Sequence, residues 1–300
     1  MPSYRDLSIA VIHYNTPLIL QSCLKRLERF LPDANITVVD SGSTHETAAM
    51  LKAAFSHVTL ISTHNHSLAH AVNTGLKASS SDYLAHMNAD VFVGEKTFAH
   101  LLEAVQEPAT GMVGPLCLTP SGEVQNQGLP YRLHSRRVEQ LPAGGSMPVP
   151  WLAGCLQLIR REVLERVGGM DSSLRFYNED MDLCWRIRRA GMRCQLVHTE
   201  VLHLGGSSTP KDAKFIIEGY RGGYLLSQRY QPPWYRVLHR RVVLAEAYWR
   251  ERYAKDPLKR AAYRQIARMF REGMVYTSPF GPSLSEANPE FFGGEGEQKP

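Results

Sequence analysis

The sequence lacks any apolar run of the about 18 residues that a membrane-spanning helix needs. An N-terminal segment of the signal-peptide type is also absent, because the charged residues Arg5 and Asp6 precede a short run typical of a strand. The five cysteines are odd in number, widely spaced and free of any Cys-x-x-Cys pair. They indicate neither a disulfide framework nor a zinc knuckle. These absences predict a protein of a reducing, cytoplasmic compartment.

The loops that hold nucleotide cofactors are missing as well. No Gly-x-Gly-x-x-Gly and no Walker A sequence follows any predicted strand, which argues against a dinucleotide cofactor and against a P-loop. The composition is otherwise that of a globular chain, with 43% hydrophobic and 21% charged residues. A length of 300 residues allows one large domain or two modest ones.

Positive and negative residues nearly balance over the chain, and the formal net charge is only +5. The segment 221–271 is the exception. It carries thirteen lysines and arginines against three acids, a local net charge of +10. Such a basic segment predicts contact with an anionic surface, whether nucleic acid, phospholipid headgroups or a phosphorylated substrate.

Short apolar runs alternate with helical patterns along the first third of the chain. We predict strands at residues 7–13, 36–39, 58–61 and 83–87, with helices between them. This βαβα order predicts an α/β fold with a Rossmann-like, mostly parallel central sheet flanked by helices. From about residue 211 the pattern is helical. We therefore expect an α/β domain over 1–210, a basic amphipathic helical extension over 211–275 and a disordered tail over 276–300.

Polar residues follow the predicted strands, at the sheet edge where ligands of such folds bind. Asp40 would accept hydrogen bonds from a base or a ribose, or would close an Asx-turn, and both interpretations are open. Asn88-Ala89-Asp90 resembles the Asp-x-Asp arrangement that holds Mg2+ or Mn2+ against a diphosphate. A simple turn is the alternative for these three residues.

Three carboxylates, Glu179, Asp180 and Asp182, crowd into four positions directly before a helical pattern. Like charges this close raise one another's pKa, and a site that tolerates them usually holds a cation or a proton to be moved. Helix capping is the alternative, but capping needs only one acid. The cluster therefore favours a functional site.

Two further positions are candidates on weaker grounds. His203 lies among apolar residues, where a histidine is more often part of the core than a ligand, so it gains weight only if Asp90 lies beside it. Trp151, followed by the small residue Gly154, would form a wall for a ring-shaped ligand or would pack in the core.

The order of these motifs resembles that of family 2 glycosyltransferases of GT-A fold, closest to their rhamnosyltransferase-like branch. Each motif alone is weak, but their shared order makes the resemblance specific over roughly residues 7–210. The positions that carry it are 14–15, 38–43, 65–75, 88–90, 121–125, 151–155, 168–171, 179–183 and His203.

The resemblance implies an inverting transfer of a sugar, rhamnose being one candidate, from a nucleoside-diphosphate sugar to a glycan or lipid-linked acceptor in cell-surface polysaccharide synthesis. Asp180 matches the general base, and Asp90 and His203 match the residues that hold Mg2+ or Mn2+. Residues 1–115 would bind the donor and 116–210 the acceptor. The matched donor-binding residues are Tyr14, Asn15, Asp40, Ser43, Asn73, Asn88 and Ala89. Trp151, Gly154 and Glu179 would lie around the donor sugar and the acceptor.

The sequence departs from the family pattern at a few positions. Asn88 stands where many relatives have Asp, which removes one charge from the metal site, and Ser41 replaces a frequent Asn. Thymine and uracil present the same Watson–Crick edge, so Asp40 leaves dTDP and UDP donors open.

Two other functions compete with sugar transfer. A nucleotidyltransferase normally has a Gly-rich basic loop after the first strand, and Tyr14-Asn15-Thr16-Pro17 contains neither Gly nor a basic residue. A binding module that uses its basic end to contact nucleic acid would leave the acidic cluster at 179–182 without a task, and its body carries no basic stripe. We therefore expect no nucleic-acid partner.

The basic helical extension has two interpretations. Its aromatic residues and charge suit peripheral contact with the inner face of a membrane or with a lipid-diphosphate acceptor. Alternatively, the stripe Leu238, Val242, Ala245 and Trp249 packs on the catalytic domain or on a second subunit in a homodimer.

Overall fold

Strands and helices alternate along the first third of the chain, as the sequence predicts. The computed structural model describes residues 4–43, 46–125, 129–206, 211–273, 275 and 277–281. The strands are β1 (Leu7–His13), β2 (Asn35–Asp40), β3 (Thr59–Ser62), β4 (Tyr83–Asn88), β5 (Val91–Phe92), β6 (Thr110–Leu118), β7 (Ser146–Val149), β8 (Leu156–Arg160) and β9 (Arg193–His203). The helices are α1 (Pro17–Phe30), α2 (Glu46–Ala54), α3 (Leu68–Lys77), α4 (Thr97–Val105), α5 (Leu129–Val138), α6 (Arg161–Val167), α7 (Glu179–Arg189), α8 (Ala213–Tyr230), α9 (Pro233–Tyr253) and α10 (Pro257–Glu272).

The first half of the sheet is parallel. Strands β3, β2, β1 and β4 lie side by side in that order, and each neighbouring pair is parallel. The register sets His13 opposite Asp40 and Ile12 opposite Asn88. The polar residues that follow β1, β2 and β4 therefore meet at one edge of the sheet.

The second half of the sheet is mixed and was not foreseen in detail. It continues through β8, β6, β9 and β5, with β8 antiparallel to both β4 and β6, and with β7 paired to β9. Strand β6 is parallel to β9. Residues 110–117 of β6 are all buried, so the strand shows no alternation of polar and apolar residues.

Alternate residues of β1 face opposite layers of helices, as the two-residue period of a strand requires. Ile9 and Val11 belong to the apolar cluster that contains the buried side of α1, whereas Ala10 and Ile12 belong to the cluster that contains α3. Gly75 of α3 makes this second contact close, because a Cβ there would lie 2.5 Å from the Ala10 side chain. Helices thus cover both faces of the sheet.

The C-terminal helices form an apolar cluster of their own, and α8 also joins it to the rest of the molecule. Glu218 of α8 is fully buried and pairs with Arg221, whose guanidinium also donates to the Ser173 carbonyl at 2.8 Å. Gln231 and Pro232 separate α8 from α9, which begins at Pro233. Among the described residues, no helix has both the length and the apolarity to cross a bilayer. The expected tail lies outside the described residues from 282 onward.

Candidate active site

A cavity of about 670 Å3 lies at the carboxyl ends of β1 and β4. Five of the predicted site residues line it, namely Tyr14, Asn88, Ala89, Asp90 and His203. Its other lining residues are Ile12, His13, Thr16, Ser41, Asn65, Ser67, Leu68, Phe176, Tyr177, Gly206, Lys211, Asp212, Lys214, Phe215 and Phe280. The cavity therefore joins the polar edge of the sheet to the start of α8.

Strand pairing brings Asp90 and His203 together. The short strand β5 follows Asp90 and pairs with the end of β9, with Val91 opposite His203. The Asp90 carbonyl also accepts a hydrogen bond from the Leu204 N–H at 3.1 Å. As a result, the Asp90 Oδ1 and His203 Nε2 atoms lie 3.4 Å apart. The convergence on which the sequence interpretation of His203 depended is therefore present.

A glutamine fixes the orientation of the His203 ring. Gln125 Oε1 lies 2.8 Å from His203 Nδ1, and Gln125 Nε2 donates to the His203 carbonyl at 2.7 Å. Because the amide nitrogen is committed to that carbonyl, the amide oxygen faces Nδ1, which must carry the proton. Nε2 is then the nitrogen that faces Asp90. Burial lowers the pKa of His203, but the hydrogen bond and the charge of Asp90 outweigh this and raise it above its ordinary value.

This donor set fits a divalent ion that shares its coordination with a ligand. Cis ligands of an octahedral Mg2+ lie about 3 Å apart, close to the observed separation of the Asp90 and His203 atoms. A histidine whose second ring nitrogen donates to a fixed acceptor is typical of metal sites. The described residues contain no group of three or more His, Cys, Asp or Glu side chains that could hold an ion. Asp90 and His203 would therefore hold the ion together with atoms of a bound ligand.

Asp180 is held at the first turn of α7 by two backbone donors. The Gly154 N–H donates to Asp180 Oδ2 at 2.9 Å and the Met181 N–H to Oδ1 at 2.8 Å. Glycine at position 154 favours this close approach, since a Cβ there would lie 3.2 Å from the Asp180 Cβ, tighter than most Cβ contacts. The next carbonyl, that of Cys155, accepts the Asn88 N–H at 2.9 Å, which ties Asp180 to the end of β4.

The environment of Asp180 suits a proton acceptor. The side chain is half-buried, and burial raises the pKa of Asp180 more than the two N–H donors lower it. A carboxylate with a raised pKa binds a proton more strongly near neutral pH than an exposed aspartate does.

The other two acids of the cluster have different surroundings. Glu179 is only 3% exposed, and its Oε2 has no hydrogen-bond partner among the described residues. Burial and the nearby Asp180 charge hold the pKa of Glu179 well above its usual range. The structure thus buries Glu179 instead of presenting it to the cavity. Asp182 has a structural role. It forms an ion pair with Arg186 at 2.7 Å and accepts a hydrogen bond from the Tyr230 hydroxyl at 2.7 Å.

The backbone just before α7 is strained and is held by α8. Tyr177 and Asn178 have φ angles of 69° and 71°, which non-glycine residues rarely adopt. The Asn178 amide lies in a notch of α8, where its Nδ2 donates to the Gly219 carbonyl at 3.0 Å. A Cβ at Gly222 would lie 2.7 Å from that nitrogen, so only glycine leaves room for Asn178. Helix α8 therefore sets the start of the helix that carries Asp180.

The loops after β1 and β2 are bonded to each other. The Ser43 N–H donates to Asp40 Oδ1 at 2.8 Å, which is the Asx-turn expected as an alternative, and the Asn15 N–H donates to the Ser43 hydroxyl at 2.8 Å. Asp40, Asn15 and Ser43 border the cavity without lining it, whereas the intervening Ser41 lines it.

Asn73 and Trp151 lie away from the cavity lining. The Asn73 amide donates to the Met170 carbonyl and accepts the Met170 N–H, both at 2.8 Å, so it clamps the loop before α7. Trp151 is half-buried and stacks on Tyr131 with ring centres 5.3 Å apart. These contacts give both residues a packing or positioning role in the structure.

The family model of glycosyl transferase family 2 matches residues 8–168. The chain belongs to glycosyl transferase family 2. It is 29% identical over 198 residues to the pre-mycofactocin glycosyltransferase of Mycobacterium tuberculosis, a match that covers 64% of this chain and 41% of the relative. It is 27% identical over 260 residues to the N-acetylglucosaminyl-diphospho-decaprenol L-rhamnosyltransferase of the same organism, covering 70% of this chain and 82% of the relative.

A solved structure of low identity shares the fold. The mannosyltransferase PcManGT from Pyrobaculum calidifontis, solved in complex with GDP-Man and Mn2+, has a TM-score of 0.53 and 19% identity to this family 2 chain. The likeness covers 92% of this chain and 87% of that one. The fold is the GT-A fold that the motif order implied.

The sequence pattern does not reveal several residues of the site in this family 2 protein. Gln125 belongs to the 121–125 motif, but its contact with His203 depends on an isolated bridge between Leu118 and Val124. No local sequence pattern predicts that bridge. Lys211 and Lys214 fall in the helical segment that the sequence predicts from residue 211, with no motif of their own. The helical pattern itself was visible, but nothing local showed that its start faces the cavity.

Proposed function

We propose that this protein is an inverting, metal-dependent glycosyltransferase that uses a nucleoside-diphosphate sugar. One observation carries the proposal: Asp90, His203 and Asn88 line a single cavity, and Asp180 is bonded to the Gly154-Cys155 segment that also bonds to Asn88. These contacts support a diphosphate site and a general base on adjacent segments. The rhamnosyltransferase relative supports a lipid-linked acceptor and rhamnose as one candidate sugar.

Asp180 is the proposed general base. It takes the proton of the acceptor hydroxyl while the hydroxyl oxygen forms its bond to the anomeric carbon. The bond between that carbon and the donor diphosphate breaks, and the diphosphate leaves from the opposite face of the sugar. The configuration at the anomeric carbon is thereby inverted.

Asp90 and His203 would hold Mg2+ or Mn2+, with Gln125 orienting the imidazole. When bound, the ion offsets the negative charge that develops on the leaving diphosphate. Lys211 and Lys214 line the same cavity and place two more positive charges near that group. Asp40, Tyr14 and Asn15 would contact the nucleotide, for which uracil and thymine are the candidate bases.

Calorimetry with UDP-, dTDP- and GDP-sugars, with and without Mn2+, tests this function. We expect one donor to bind, and to bind at least about tenfold (roughly 1.4 kcal/mol) more tightly with the ion, because the ion offsets the negative charge of the diphosphate. Metal-independent donor binding together with EDTA-resistant transfer would remove the metal from the proposal. Binding of no donor at all, or transfer with retention in an NMR assay of the product anomer, would refute the proposed reaction.

We also propose that the enzyme works in the cytoplasm at the inner face of a membrane, with its basic C-terminal helices at the lipid surface. A homodimer is the competing arrangement for the same helices.

A further inference from the structure

An exposed apolar surface runs along α9. Among the described residues, eleven large apolar side chains are exposed, and eight of them lie on this one helix. The stripe does not pack on the catalytic domain, which was one of the arrangements considered above, because Leu238, Val242 and Trp249 are 51%, 54% and 61% exposed. The eight residues are Trp234, Tyr235, Val237, Leu238, Val242, Tyr248, Trp249 and Tyr253. We call this surface the α9 outer face.

The α9 outer face is continuous and lies opposite the packed side of the helix. Val243 and Ala247 are buried in the cluster with α8 and α10. At about 100° per residue, the exposed residues fall in one arc on the other side of the helix axis. The helix has 21 residues, so the face is about 31 Å long.

Positive charge accompanies the apolar residues. Arg241 and Arg252 fall in the same arc and are exposed. The two acids of α9 lie at the borders of the arc and are paired, Glu246 with Arg250 at 2.7 Å and Glu251 with Arg264 of α10 at 2.8 Å. The α9 outer face therefore combines tryptophan, tyrosine and arginine, with its carboxylates only at the border.

We propose that the α9 outer face docks on an anionic lipid bilayer. Tryptophan and tyrosine favour the boundary between headgroups and acyl chains, and arginines beside them attract anionic headgroups. A second copy of the chain fits less well, because two such faces packed together would bring four arginines into one contact without an intervening carboxylate. This inference rests on the membrane location proposed above and names the surface that makes the contact. It does not rest on the transfer reaction, so either can fail without the other.

Co-sedimentation of the full-length protein with vesicles tests the docking. We expect at least about tenfold tighter binding to phosphatidylcholine vesicles that contain phosphatidylglycerol than to pure phosphatidylcholine, and loss of this difference near 1 M salt, where screening reaches about 3 Å. The double variant Leu238→Glu/Trp249→Glu should abolish binding. Leu18→Glu on α1 is the matched control, since Leu18 is 77% exposed outside the face, and it should bind like the wild type.

A second pair of variants tests the electrostatic contribution to vesicle binding. Arg241→Gln/Arg252→Gln should weaken binding to the anionic vesicles about 25-fold, at roughly fivefold for each arginine near the surface. Lys25→Gln/Arg29→Gln on α1 removes two exposed charges elsewhere and should have little effect. Equal losses in both pairs would show that only net charge matters and would overturn the proposal.

Two further outcomes also overturn it. One is equal binding to neutral and anionic vesicles at low salt. The other is a dimer in sedimentation velocity that Leu238→Glu/Trp249→Glu converts to a monomer, because the face would then be a contact between subunits.

Discussion

Gly222→Ala should disable the protein by displacing the catalytic segment, although Gly222 is outside the cavity lining. A methyl group at this position of α8 would lie 2.7 Å from Asn178 Nδ2 and 3.3 Å from its Cγ. Contacts under 3.0 Å are essentially never found for a Cβ, so the amide must leave the notch or α8 must move. Either response releases the strained residue that precedes Glu179 and Asp180.

The magnitude follows from the contacts that are lost. Overpacking costs about 1–3 kcal/mol and the lost hydrogen bond to the Gly219 carbonyl about 1 kcal/mol. Alanine regains about 1 kcal/mol through its helix propensity. We therefore expect the free energy of unfolding to fall by about 1–3 kcal/mol. A shift of Asp180 by about 1 Å would lower kcat by up to about 100-fold.

The assay combines denaturant unfolding with steady-state kinetics and donor calorimetry. Gly223→Ala is the matched control, because it makes the same change one residue further along α8, where the nearest Asn178 atom is 3.8 Å from the new Cβ. The control should keep kcat and gain stability. Gly222→Ala should lower kcat more than it lowers donor affinity, because Asn88, Ala89 and Asp90 are untouched and the displaced side adjoins the cavity only through residues 176–177 and the start of α8.

A double-mutant cycle separates positioning from general damage. Asn178→Gly keeps the φ of 71° without strain and empties the notch, so Gly222→Ala should cause no further loss of kcat in that background. Equal kcat for Gly222→Ala and wild type, or additive losses in the double variant, would refute the reasoning.

Three other predictions concern protons and the metal. Gln125→Ala frees His203 Nδ1 and should raise the Mn2+ concentration for half-maximal rate about 10- to 100-fold, whereas an unchanged metal titration would contradict the proposed site. The pKa of Asp180 is raised, and the base must be deprotonated, so kcat/KM should fall as pH drops through a value above the ordinary aspartate pKa of about 3.9. An acidic limb at or below that value would count against the base. Burial lowers the pKa of His86 to about 4, so this histidine gains a proton only on unfolding between about pH 6.5 and 4. Stability should therefore fall by about 1.4 kcal/mol per pH unit over this window as pH drops, and His86→Gln should flatten the slope in urea titrations.

The parallel half of the sheet could be predicted because its strands and helices have clean local periods. The buried run Thr110–Leu118 shows no alternation of polar and apolar residues, since it is covered on both sides and contains Gly and Pro. Strand β9 was missed for a related reason, as its polar residues Gln195 and Thr199 are buried and disguise the pattern. The local sequence pattern of a strand does not indicate which distant segment packs against it.

For the same reason, only part of the candidate site could be predicted from the sequence. Asp90 could be located because it follows a recognisable strand, and His203 became a candidate through the family order. The notch that holds Asn178 depends on contacts between residues more than forty positions apart. The three-acid cluster shows this most clearly, because its members look alike in the sequence. In the structure Asp180 contacts Gly154, Asp182 is paired with Arg186, and Glu179 is buried with no hydrogen-bond partner at Oε2 among the described residues.

The transfer rate of Asp180→Asn tests most directly whether Asp180 is the general base. We expect a loss of at least about 100-fold, with donor affinity and melting temperature close to wild type, because a general base contributes on that scale and Asp180 is outside the cavity lining. Transfer within about tenfold of the wild-type rate would show that another group accepts the proton and would contradict the central claim.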